Sequence, residues 1–245
     1  MYSGVLKIVR FNWPWYVMAI AATFSVSFSF YLGILNGPWM AIVVAGLIVA
    51  NIWLVASLVV SHYIYDRSGI RQGAWLDGIN ASNLGHVGIF HAGHDEASKA
   101  VSLRLPSDQV QVFDFYDTGH DGAGSLERAR AAAPRRDLAI NVKRIPLSSG
   151  TLDLGLLVFA AHEIRDDNQR AILFGELSRV LAPAGRLIVV EHLRDVWNFL
   201  AYGPGAFHFL SRRTWCRSFA DGSLEISRES SCTPFVRVFE LRKSA

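Results

Sequence analysis

The chain has 245 residues, 51% of them hydrophobic, and its mean hydropathy of +0.25 is high for a soluble protein. That length accommodates a membrane segment plus one domain with a core of its own. The net charge of +3 and the pI near 9.0 are a mild basic bias without the dense Lys/Arg stripe that nucleic-acid binding requires. Nucleic acid is therefore not expected as a partner, and anionic lipid headgroups are the better match.

The hydrophobic excess sits in the first quarter. From Phe11 to Tyr65 there is no Asp, Glu, Lys or Arg. A membrane-spanning helix needs about 20 apolar residues. The run holds two such stretches, around Trp15–Leu35 and Trp39–Val60, with the helix-stopping turn Asn36-Gly37-Pro38 between them. Trp13, Trp15, Trp39, Tyr63 and Tyr65 gather near the ends of these stretches, where a half-apolar, half-wet ring is favoured. Lys7 and Arg10 precede the first stretch and Arg67 and Arg71 follow the second, while the connecting turn has no basic residue. The positive-inside rule then predicts an integral membrane hairpin with both termini in the cytoplasm. A cleaved signal peptide is not expected, because a second span follows at once.

From Trp75 the pattern changes to short apolar runs alternating with helical stretches. Strands are expected at His86–Ala92, Gln109–Phe115, Leu138–Val142, Leu154–Ala160 and Arg186–Glu191. Helices are expected at Ala97–Leu105, Ser125–Ala133 and Asp166–Leu181. This alternation implies an α/β fold with a parallel sheet covered on both faces. Leu224–Ser230 and Phe235–Arg242 read as two strands with no helix between them, hence an antiparallel hairpin at a sheet edge. Residues 1–66 are thus read as a hairpin, 67–84 as a linker and 85–245 as one domain. Cys216 and Cys232 have no metal-ligand spacing and read as ordinary buried thiols.

Two blocks carry a family resemblance. The first is Ile145-Pro-Leu-Ser-Ser-Gly-Thr-Leu-Asp153 with Leu154–Ala160 and His162-Glu-Ile164; the second is Leu177-Ser-Arg-Val-Leu-Ala-Pro-Ala-Gly-Arg-Leu-Ile-Val-Val-Glu191. Together, and at this separation, they resemble class I S-adenosylmethionine (SAM)-dependent methyltransferases, closest to the small-molecule enzymes of quinone-biosynthesis type. The resemblance covers about residues 85–243. It implies a Rossmann-like, mostly parallel seven-stranded sheet with a C-terminal antiparallel hairpin, here preceded by two transmembrane helices, and SAM as cofactor.

The resemblance also implies site residues. The family's glycine-rich turn after the first strand corresponds to His91-Ala-Gly-His-Asp-Glu-Ala-Ser98, where only Gly93 keeps a glycine and His91 stands in the acidic position. Asp95 or Glu96 is expected to meet the SAM ammonium, although Asp95 is also placed to cap the next helix through the Ser98 amide. Asp114 or Asp117 is expected to accept from the ribose hydroxyls, with Asp114 preferred. Asn141 falls near the adenine amino group. Residues 118–124 look like an insertion, and Asp153 reads as structural.

Methyl transfer is a displacement at a sulfonium carbon, so the protein mainly positions the partners. A base is needed where the acceptor must lose a proton. His162 and His192, after the fourth and fifth strands, are the candidates, because imidazole titrates near neutrality. Leu193–Trp215, rich in aromatic residues, is placed as an acceptor pocket or lid. His91, His94, Asp95 and Glu96 match no tetrahedral zinc spacing, and no metal is expected from them. The expected function is a membrane-anchored, SAM-dependent methyltransferase acting on a lipophilic or amphipathic small molecule. The alternatives are a membrane-anchored protein of the same fold that binds without catalysis and, behind it, a nicotinamide-dependent oxidoreductase.

Overall fold

In a computed structural model, the structure describes residues 3–34, 36–79, 84–105, 110–116, 124–132 and 137–244. Asp117 and residues 118–123 of the expected insertion lie outside the described residues, as does Leu35.

Two helices open the chain, α1 (Ser3–Tyr31) and α2 (Pro38–His62), and they pack against each other. Helix α1 is broken at Asn12 (φ −112°, ψ 15°), two residues before Pro14. Proline lacks an amide proton and its ring collides with the carbonyl four residues back, so the preceding backbone leaves helical geometry. The Asn12 side chain donates to the Ile8 carbonyl (3.0 Å) and reuses one acceptor beside the break. Between the helices, the Asn51 amide donates to Thr23 Oγ1 at 3.3 Å. Among the described residues one helical stretch, Pro38–Gln72, is by itself long and apolar enough to cross a membrane. The first stretch is diluted by Pro14, Thr23, Ser25, Ser27 and Ser29 and does not reach that level alone.

The remainder forms a seven-stranded sheet. Its strands are β1 (Val87–His91), β2 (Val110–Asp114), β3 (Leu138–Ala139), β4 (Leu152–Val158), β5 (Leu181–His192), β6 (Leu224–Thr233) and β7 (Val236–Lys243), in the order β3-β2-β1-β4-β5-β7-β6. The first five run parallel, and β7 is antiparallel to both β5 and β6. Helices α3 (Ser98–Arg104), α4 (Gly124–Ala131), α5 (Asp167–Val180), α6 (Val196–Tyr202) and α7 (Arg212–Asp221) complete the domain.

The strands bury both faces, which is why they read as unbroken apolar runs. Alternate residues of β1 and β4 point to opposite faces. Phe90 and Leu157 meet Leu173, Phe174, Trp215 and Phe219 of α5 and α7 on one face. Ile89, Leu154 and Leu156 meet Ala100 and Val101 of α3 on the other. Ile70, Trp75 and Leu76 are buried in that second cluster. The segment expected as a linker is therefore part of the core. Two boundaries also differ from expectation. Strand β3 is two residues long, and β5 starts at Leu181 because the Ala182–Gly185 segment continues the strand through a register shift against β4. A Cβ at Gly185 would lie 2.6 Å from the Leu152 carbonyl oxygen, so only glycine allows this close passage.

The start of α1 is tied to the end of the second helix. Asp66 accepts from the Gly4 amide (2.7 Å) and the Val5 amide (3.0 Å), a helix cap supplied from 62 residues away. A Cβ on Gly4 would lie 2.6 Å from the Tyr65 Cβ, so the helix start needs the missing side chain to fit. Replacing Asp66 with Ala is expected to cost about 1 kcal/mol of stability, the usual value of a lost cap. Hydrogen exchange at the Gly4 and Val5 amides should accelerate in that variant, and unchanged protection would show that the cap is not formed.

Candidate functional site

A cleft opens at the carboxyl ends of β1 and β4, the place where open α/β sheets bind ligands. Ala92, His94 and Glu96 form one wall, and Phe159, His162 and Glu163 another. The roof is the first part of α1, through Gly4, Lys7, Ile8 and Phe11. Phe11 packs edge-on against His94 (5.7 Å), and Arg128 of α4 donates to the Phe11 carbonyl (2.6 Å). Sequence patterning did not reveal this roof, because nothing local links residues 4–11 to a turn some 80 residues later.

The turn after β1 is held by Asp114. Its Oδ1 accepts from the Gly93 amide (2.8 Å) and the Tyr116 amide (2.9 Å), and its Oδ2 lies 3.3 Å from Arg130. Arg130 also sits 4.0 Å over the Tyr116 ring. Gly93 has φ +81°, and a Cβ there would press on Tyr116 and Arg130, so this position favours glycine. The structure thus places Asp114 at the expected strand end, engaged with the turn backbone and Arg130. Asp95 accepts from the Ala97 and Ser98 amides (2.8 and 2.9 Å), the expected cap of α3. Glu96 pairs with His94 (2.9 Å) and faces the cleft. His91 is buried, with Nε2 3.0 Å from Asp137 and Nδ1 3.8 Å from Asp114. Asn141 is exposed in a turn, where its side chain accepts from the Lys143 amide (2.9 Å). Asp153 accepts from the Gly85 and His86 amides, as a structural residue should. Cys216 and Cys232 are half-buried free thiols.

The turn fits a zwitterionic cofactor such as SAM. Gly93 lets the backbone pass closely, and the Glu96 carboxylate and Lys7 ammonium border the same cleft with opposite charge. These residues would hold the amino-acid end of the cofactor, which supplies an electrophilic methyl group.

The other wall is a buried polar cluster. His162 Nδ1 lies 2.8 Å from Glu191 Oε2, and its Nε2 lies 3.2 Å from Glu163 Oε1. Glu191 is fully buried and also accepts from the His162 amide. Burial works against a charged ring here, but the Glu191 charge and the hydrogen bonds to Glu163 and Glu191 outweigh it and push His162 up to about 10. A ring that keeps its proton at neutral pH cannot accept another, so these surroundings correct the expectation of His162 as a free general base. His208 is the opposite case. Burial, followed by the charges of His162 and Arg165, lowers it to about 4.

His192 is also not poised for proton transfer to a substrate. It is stacked between Phe159 (4.9 Å) and Phe209 (4.8 Å). Its Nδ1 is 3.0 Å from the Phe235 carbonyl and its Nε2 is 3.3 Å from the Tyr65 hydroxyl. The carbonyl can only accept, so Nδ1 carries the proton and Nε2 accepts from Tyr65. Phe159 holds this stack from a left-handed backbone conformation (φ +51°), unusual for a side chain of its size and typical of residues constrained at a site.

The aromatic segment 193–215 divides in two. Trp215 is fully buried in the core beside Phe174, whereas Val196, Trp197, Leu200 and Phe207 are exposed. Trp215 thus helps to cover the sheet, whereas the exposed residues form an apolar surface on α6 and the turn after it.

Residues 118–189 match the family model described as a methyltransferase domain. The fold is similar to that of a SAM-dependent methyltransferase from Aquifex aeolicus (15% identity, TM-score 0.51, 72% of this chain and 93% of that one). It is similar also to the mitomycin 7-O-methyltransferase MmcR (14%, 0.55, 99% and 73%) and to the pyocyanin biosynthetic protein PhzM (16%, 0.51, 73% and 56%). No curated protein matches the chain.

Asp114→Ala should weaken SAM binding by about 1.5–3 kcal/mol, the range for hydrogen bonds to a charged group, through collapse of the Gly93 turn. Calorimetry with SAM checks this, and wild-type affinity would remove Asp114 from the site. His192 yields a pH prediction. Burial lowers the native ring to about 4, against an ordinary 6.5, with the Phe235 carbonyl only partly offsetting it. Below about pH 6.5 the unfolded ring binds a proton that the native ring refuses. Stability should therefore fall toward pH 4, by up to about 1.4 kcal/mol per pH unit. His192→Gln should flatten that part of the acid limb in denaturant titrations, and an unchanged slope would show the ring to be protonated in the native state.

Proposed function

We propose that the chain is a SAM-dependent methyltransferase, anchored in the bilayer by a two-helix hairpin, that methylates a lipophilic or amphipathic small molecule at the membrane surface; the methyltransferase-domain match and the fold support the first part. The observation that carries the reading is a continuous apolar surface running from the hairpin to the catalytic domain. Ile20, Phe24, Ile42, Ile52 and Val59 are exposed along α1 and α2. Water would not tolerate so large an apolar surface, whereas acyl chains would. Trp53 of α2 packs edge-on against Phe199 of α6 (5.6 Å), and α6 adds exposed Val196, Trp197 and Leu200 to the same region. A Cβ at Gly203 would meet the Trp53 ring at 2.5 Å, so this junction is tightly fitted. The Asn51–Thr23 hydrogen bond is of the kind that holds membrane helices together, and it supports a first span that hydropathy alone leaves marginal.

In this reading both termini and the catalytic domain are cytoplasmic, as Lys7, Arg10, Arg67 and Arg71 favour. The roof helix and the turn after β1 hold the cofactor. Phe159, His162 and Glu163 on the opposite wall would meet the acceptor, to which the cofactor would supply its methyl group. Tethering keeps that wall where membrane-partitioned acceptors are concentrated. The protein's work is to align acceptor and sulfonium and to exclude water from between them.

Full-length protein in nanodiscs, supplied with methyl-labelled SAM, should transfer label to an alkyl-chain phenol faster than to the same phenol without the chain. Equal rates would remove the lipophilic acceptor, and no transfer to any acceptor in a lipid extract would remove the activity. Cysteines placed at Gly37 and Gly69 test the anchor separately. Impermeant reagents should reach the first from the outer side and the second from the inner, and labelling of both from one side would reject the hairpin.

A further inference from the structure

The wall opposite the cofactor turn carries more convergence than methyl transfer requires. A ring nitrogen of His162, a carboxylate oxygen of Glu163 and a ring nitrogen of His208 all lie within 4.8 Å of one another. The Nε2 of His162 is 3.2 Å from Glu163 Oε1, and the Nε2 of His208 is 4.0 Å from the same oxygen. Tetrahedral zinc with bonds of about 2.0–2.2 Å spaces its donor atoms about 3.3–3.6 Å apart. Two spacings already bracket that range, and the two imidazole rings stand edge to face at 5.4 Å.

A second, independent feature points the same way. The buried Glu191 carboxylate takes His162 Nδ1 at 2.8 Å and turns Nε2 toward Glu163 and His208. A carboxylate behind the far nitrogen of a histidine is the usual support of a metal-ligating imidazole, where it sets both tautomer and ring direction. The donors come from two segments, the turn Ala161–Glu163 after β4 and the turn Gly203–His208 after α6. No sequence spacing could therefore announce them.

We propose that His162 Nε2, Glu163 Oε1 and His208 Nε2 bind one divalent transition-metal ion of the zinc class on the acceptor side of the cofactor cleft, the ion displacing the proton on His162 Nε2 to solvent while Nδ1–H stays on Glu191. Two nitrogens and one carboxylate oxygen are a zinc donor set, and three protein ligands leave a fourth position for an external group. His162 and Glu163 line the cleft, so that position faces the acceptor. There the ion would take an oxygen, nitrogen or sulfur atom of the acceptor and favour its deprotonated form. This use of the ion rests on the methyl-transfer reading, but its binding does not.

Arg165 is the competing cation. Its Nη1 donates to the His208 carbonyl (2.6 Å), and its Nη2 lies 2.8 Å from His208 Nε2 and closer still to Nδ1. Metal binding requires Nη2 to leave the ring, which the carbonyl bond through Nη1 permits.

Full-length protein in detergent, stripped with chelator, is titrated with Zn²⁺ by calorimetry and with Co²⁺ by absorption, with SAM binding measured in parallel to report folding. We expect one ion per chain and a tetrahedral Co²⁺ spectrum. His208→Ala and Glu163→Gln should abolish both while SAM still binds. Glu191→Gln should weaken the ion about 10–100-fold, the usual cost of losing such support. Arg165→Gln should tighten it. No stoichiometric ion in either wild type or Arg165→Gln, or binding that survives both His208→Ala and Glu163→Gln, overturns the site. Stoichiometric metal without methyl transfer would keep the site and reject the proposed function instead.

Discussion

The arrangement depends on one carboxylate placed between the hairpin and the sheet. Asp66 follows the second helix and binds two free amides in the first turn of α1, those of Gly4 and Val5. Helix starts carry unpaired amide donors and a partial positive charge, and a carboxylate satisfies both. Here the cap closes a loop of more than sixty residues. The hairpin thus returns to its starting level, and the segment before Asn12 is laid across the carboxyl ends of the strands. Without that tie the cofactor cleft would have no roof on this side. The break before Pro14 lets the roof and the rest of α1 take different directions.

The two walls of the cleft solve different electrostatic problems. On the cofactor side, Asp114 gathers two amides and a guanidinium, so its charge is spent on shaping a turn that has only one glycine to work with. On the acceptor side, Glu191 is buried with a histidine for company, and its desolvation is tolerable only because His162 supplies two hydrogen bonds. His192, one residue further along β5, stays neutral by exchanging water for Phe235, Tyr65 and two aromatic faces. Adjacent residues of one strand point to opposite faces, and so Glu191 and His192 end in opposite charge environments.

The junction of hairpin and domain is aromatic. Trp53, Phe199 and Gly203 fit closely, and the exposed part of α6 extends the apolar surface beyond the helices. Phe159, just after β4, touches both the cleft and the His192 stack, so the two share one element.

Sequence alone determined the periodic features. The charge-free run, the helix-strand alternation, the edge hairpin and the Asp95 cap were all legible, because each depends on residues a few positions apart. The strand pattern likewise put Gly93 just after β1 and Asp114 at the end of β2. Tertiary structure decided the rest. It placed residues 70–76 in the core rather than in a linker and sent β5 through the Pro-Gly segment. It made a cleft roof from residues 4–11. It also set the histidines, bringing His208 to His162 and Glu163 and surrounding His162 with carboxylates and His192 with rings. A side chain's charge state and partners depend on what burial and folding bring within a few ångströms of it, and Glu191 and Tyr65 lie 29 and 127 positions from the histidines they hold.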